Sequence, residues 1–193
     1  MNEVELIRAQ LSVERQHAVE VSQACVSALW AAVSAGGESL AGLQPFRQAS
    51  VEYLVWVLAR FEERDQVFRD LVHSRFGADD PPRRAVDTTL SLAGSSRDVL
   101  AKFEAALAST TGSPAASSAG TDPHWDEFLQ FFSGAWSARR DQLDALLERE
   151  ATIADWRAVA GIDADSVFEE RSRYARVRAT LPAGVEMPTN LRV

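Results

Sequence analysis

Apolar residues recur at alternating spacings of three and four along most of this chain, and that rhythm constrains the fold more than any other feature. Residues 2–35 carry Ile7, Leu11, Ala18, Val21, Cys25, Ala28 and Ala32 on one stripe, and Gly36-Gly37 stops it. Residues 45–76 carry Val51, Leu54, Leu58, Phe61, Phe68 and Val72, after which Gly77 and Pro81-Pro82 close that helix and open the next. A third stripe, over 83–108, runs through Val86, Leu90, Ala93, Leu100 and Leu107, with Gly94-Ser95-Ser96 expected to bend it. Residues 109–122 are small and polar and read as a flexible linker. Asp122 and Pro123 then cap a fourth helix over 123–150, whose inner face holds Trp125, Leu129, Phe132, Trp136, Leu143 and Leu146.

Thr152 and Asp155 form a capping-box pattern ahead of a short helix over 153–160, ended by Gly161. A last helix covers 163–179. Alternating β patterns are absent from the sequence, so the expected class is all-α. The expected architecture is an up-down four-helix bundle over 1–150, a helical extension over 151–181 packed on it, and a tail over 182–193.

Composition removes several functions. The 193 residues are 46% hydrophobic, enough for one ordinary core, and the single Cys25 has no partner for a disulfide. The longest apolar run, Tyr53 to Ala59, is far short of the roughly 18–20 residues a bilayer requires, so no membrane partner is expected. The start MNEVELIRAQ lacks the pattern of a secretory signal, which makes the cytoplasm the expected location. A net charge of −8 disfavours nucleic acid as a partner. Lys102 is the only lysine among 20 basic residues, so buried cations in this chain would be guanidiniums, which keep their charge.

Each of the four long stripes is interrupted by a charge. Glu14 falls between Leu11 and Ala18, and Asp65 between Phe61 and Phe68. Arg97 falls between Ala93 and Leu100, and Arg139 between Trp136 and Leu143. Two acids and two bases near the middles of four helices are what an ionic cluster across a bundle needs, because a single unpaired buried charge is strongly destabilising. The competing reading rotates each helix slightly and lets its charge snorkel to water. Arg64-Asp65-Gln66-Val67 also recurs as Arg140-Asp141-Gln142-Leu143, which fits a pseudo-symmetric pair of hairpins.

Residues 2–150 resemble the hemerythrin-like four-helix bundles. The second helix of that family often reads His-Phe-x-x-Glu-Glu-x-x-Leu-Phe, and Arg60-Phe61-Glu62-Glu63-Arg64-Asp65-Gln66-Val67-Phe68 is similar. Arg97-Asp98-Val99-Leu100 resembles the third-helix pattern with Arg in the His position. Ala135-Trp136-Ser137-Ala138-Arg139-Arg140-Asp141 resembles the fourth, and His17 stands at the first-helix His position. The other iron ligands are replaced, so the resemblance implies a member without its di-iron site, with inward charges in the vacated centre.

Glu14-x-x-His17 has the spacing of di-iron carboxylate bundles, and with Asp65 it is the one metal set the sequence offers. Asp70-x-x-His73 and His124-x-x-Glu127 read as surface pairs. Residues 152–167 resemble a repressor-type helix-turn-helix, with Gly161 at the turn and Ile162 and Val167 at packing positions. Arg157 departs from that pattern at a normally small, buried position, and Asp163 and Asp165 place acids where phosphates would lie. The aromatic surplus of the fourth helix, Phe128 and Phe131 included, is expected to meet Trp156, Phe168 and Tyr174, or to form a homodimer face.

The expected function is therefore a binding or regulatory module with no cofactor and no catalytic set. Its centre is Glu14, His17, Asp65, Arg97 and Arg139, a purely structural network or a receptor for a small polar or anionic ligand. The alternatives are a di-iron or other metal-binding, oxygen-handling protein and a DNA-binding regulator.

Overall fold

The computed structural model describes residues 2–34, 40–91, 101 and 137–187. Six α-helices and a 3-10 turn (Leu40–Leu43) account for most of them: α1 (Glu3–Ser34), α2 (Gln44–Arg75), α3 (Pro81–Ser91), α4 (Ser137–Glu150), α5 (Ile153–Ala160) and α6 (Ala164–Ala179). No strand occurs among the described residues, and the protein is all-α. The bounds expected from periodicity hold to within a residue or two where they can be compared. The remainder of the third and fourth stripes, with the 109–122 linker, lies outside the described residues.

Local chemistry explains the ends. Pro45 occupies the first turn of α2, where a missing amide costs nothing, and Pro81 opens α3 in the same way. The capping box expected at Thr152 and Asp155 is present, and Gly161 adopts φ 54° to end α5. A second capping box, Asp163 with Ser166, starts α6.

α1 and α2 run antiparallel, since Glu14 meets Arg64 near one end while Cys25 meets Ser50 toward the other. α3 packs on α2 and on α4, and α5 and α6 each pack on both α1 and α2. Arg15 of α1 grips Asp144 of α4 with two parallel bonds of 2.6 and 2.9 Å. Trp156, Val159 and Ala160 of α5 share one apolar cluster with Leu11, Phe68, Leu143 and Leu147. Val177 of α6 joins the other cluster, with Ala18, Val21, Tyr53 and Phe61.

The two apolar clusters leave a gap between them. Along α1 the first cluster begins at Ala18 and the second ends at Leu11, and along α2 the break falls between Phe61 and Phe68. Buried Glu14, Arg64 and Asp65 occupy that break. The interrupted stripe is therefore a polar layer inside the protein, not a charge turned out to water.

Candidate functional site

Glu14 is fully buried on α1, and its Oε2 accepts from Arg64 Nη1 at 2.6 Å. Arg64 Nε donates at 2.7 Å to the carbonyl of Ala160, the last residue of α5. One turn earlier on α2, Arg60 donates through Nη2 to the Gly161 carbonyl at 3.1 Å and stands 3.8 Å from Glu14 Oε1. Carbonyls at a helix C-terminus have no intrahelical partner and carry partial negative charge, so two guanidiniums suit them well. Burial lowers the pKa of Arg64, and its bond to Glu14 opposes that shift. Arg60 and Arg173 both lie over the Trp56 ring, at 5.1 and 5.5 Å from its centre.

A second buried carboxylate belongs to Glu170 of α6. Its Oε1 lies 2.7 Å from His17 Nδ1 and accepts from the Tyr53 hydroxyl at 3.0 Å. The Tyr174 ring stacks on the His17 imidazole at 3.6 Å and 8°, and the Tyr174 hydroxyl donates to buried Glu20. Burial raises the Tyr53 pKa well above its ordinary value, and Glu170 beside it adds to the shift. Tyr174 moves in the same direction, first by burial and then through Glu20. Three helices thus converge on one carboxylate that water does not reach.

The residues expected to form the centre fare differently. Glu14 and Asp65 are buried, as the interrupted stripes require. Arg97 lies outside the described residues, and Arg139 belongs to α4 with its side chain likewise outside them. The cation seen on Glu14 is Arg64, a neighbour of Asp65 that the stripes pass over. Glu14 and His17 do not turn toward a common point: one faces Arg64 and the other Glu170. His73 meets Asp87 of α3 at 2.7 Å, while its expected mate Asp70 accepts from Gln66. Among the described residues, no group of three or more His, Cys, Asp or Glu side chains is arranged to hold a metal ion.

Two further expectations need correction or support. Phe168, expected against the fourth helix, is 73% exposed, whereas Trp156 is buried beside Leu143 and Leu147 and Tyr174 is taken up by His17. Trp125, Phe128, Phe131, Phe132 and Trp136 lie outside the described residues. Arg157 is exposed and pairs with Glu3 of α1, with Nη2 to Oε2 at 2.6 Å, so it breaks no packing. Cys25 is buried, and burial pushes its thiol up to about 12, which suits inert packing.

Arg60, Arg64, Tyr53, Glu20, Glu170 and Tyr174 were not among the expected site residues, although Arg60 and Arg64 lie in the family-like stretch and Tyr174 was an expected aromatic contact. Glu170 had a legible signal: it interrupts Val167, Tyr174 and Val177 as Glu14 interrupts its own stripe. No helix among the described residues is long and apolar enough to cross a membrane. No protein family, curated protein or solved structure matches the chain. Fold and site together define an all-α protein with buried salt bridges.

Proposed function

We propose that this chain is a hemerythrin-like up-down four-helix bundle in which an ionic layer stands where relatives hold metal, and that it works as a binding or regulatory module. The observation that carries this reading is the pairing of fully buried Glu14 with Arg64, the residue four places after the family's second-helix His position. A divalent cation entering beside Glu14 would meet the Arg64 guanidinium and a second one, Arg60, at 3.8 Å from the other carboxylate oxygen. Like charges so close in a poorly hydrated interior repel strongly.

Glu14 Oε1 and Arg64 Nη2 are buried without a hydrogen-bond partner, which leaves one acceptor and one donor for a small polar group. That pair is better matched to a neutral or zwitterionic group than to a simple anion. Metal analysis of protein purified from iron-supplemented cells tests the reading. It predicts iron and manganese at trace level, and near-stoichiometric content of either would replace it with the oxygen-handling alternative.

A second reading, a DNA-binding regulator through 152–178, is favoured by the left-handed Gly161 between α5 and α6. Asp163 and exposed Asp165 at the start of α6 oppose it. Retardation of duplex DNA in a low-salt gel would support it, and free migration would remove it.

A further inference from the structure

Two histidines among the described residues each meet a carboxylate, and the contrast between the pairs singles one out. His73 Nε2 lies 2.7 Å from Asp87, a carboxylate that is 45% exposed and also faces Arg83. His17 Nδ1 lies at the same distance from Glu170, which is 0% exposed. A carboxylate accepts, so Nδ1 is the nitrogen that donates to Glu170, and Nε2 is the one whose lone pair that neutral tautomer would offer. Tyr53 holds Glu170 from α2, and the flat Tyr174 ring holds the imidazole from α6. The His17 side chain is 20% exposed, and Nε2 makes no hydrogen bond with the described residues yet is not among the buried unpartnered atoms. Solvent therefore reaches the free nitrogen.

We propose that His17 is a nucleophilic site that takes small acyl electrophiles at Nε2, with Glu170 and Tyr174 as its positioning residues. The Nε2 lone pair forms the bond to the acyl carbon, and the leaving group departs with its bonding electrons. The Nδ1 proton passes to Glu170 Oε1 as the neutral N-acylimidazole forms. This assignment does not depend on the Glu14–Arg64 layer or on the absence of metal from it.

The test is treatment of the intact chain with diethyl pyrocarbonate at neutral pH, with carbethoxylation timed at each histidine by peptide mass mapping. His17 is expected to react about a hundredfold faster than His73, the lower end of what a well-placed proton acceptor contributes, because Glu170 is buried whereas Asp87 is half-exposed and shared with Arg83. Glu170→Gln should bring the His17 rate down to that of His73 while leaving His73 unchanged, with circular dichroism reporting that the variant is folded. Should that variant fail to fold, the ratio of the two rates in the unaltered protein decides the matter alone. His17 reacting no faster than His73 overturns the proposal, as does a folded Glu170→Gln protein with an unchanged His17 rate.

Discussion

Arg64 reaches Glu14 at 2.6 Å with both side chains withdrawn from water, 6% and 0% exposed, in the break between two apolar clusters. A buried pair of this kind adds little net stability compared with a well-packed apolar pair, because removing two charges from water offsets most of their attraction. Breaking it is a different matter. Arg64→Met leaves Glu14 buried without its guanidinium and should lower stability by about 3–5 kcal/mol in urea unfolding. A change within about 0.5 kcal/mol would mean that Glu14 reaches water in solution.

Tyr53→Phe removes one of the two groups that hold the Glu170 carboxylate. The ring still fills its place in the core, so the cost is that of a lost bond to a buried, charged acceptor, about 1.5–3 kcal/mol. Thermal unfolding of the variant measures it, and an unchanged midpoint would show that the hydroxyl is dispensable.

Acid should weaken the α2–α5 junction. Arg75, bonded to Asp155 at 2.6 Å, holds that carboxyl down to about 2, and the Thr152 cap helps. A depressed carboxylate stabilises the fold fully above its unfolded range and loses that contribution as pH falls through the folded value. The loss therefore falls between about pH 5 and pH 2 and amounts to about 1–2 kcal/mol, reduced because Arg75 is partly solvated. Stability curves of Asp155→Asn should be flatter than those of the unaltered protein across that window, and parallel curves would refute the assignment.

Cys25 should resist thiol reagents. Its pKa near 12 and its burial leave almost no thiolate at neutral or mildly alkaline pH. Ellman's reagent should label it only after unfolding in urea, and prompt labelling of the native chain would place it at the surface.

Much of the fold could be read from residue spacing because long helices repeat one simple rule many times. The interrupted stripes placed Glu14 and Asp65 indoors correctly, since backbone geometry alone fixes which positions share a face. The partner of Glu14 escaped the same logic. Arg64 lies off the central stripe of α2, and its long side chain crosses to α1 and to the end of α5, a reach that spacing does not encode. Glu170 depends on packing as well as spacing, because a helix packed on α1 and α2 need not bury a charge. α6 in fact buries a carboxylate and Val177 in the interior. The surface pairing of His73 was anticipated, yet its mate is Asp87 on the next helix and not Asp70 one turn away, because α3 folds back onto α2.

The sharpest single measurement is a double-mutant cycle on Glu14→Gln and Arg64→Met, read by equilibrium denaturation. The ionic layer described above predicts a coupling energy of about 2 kcal/mol or more, with the double variant less damaged than the sum of its parts. Additive losses, with coupling below about 0.5 kcal/mol, would show that the two charges do not meet inside the protein.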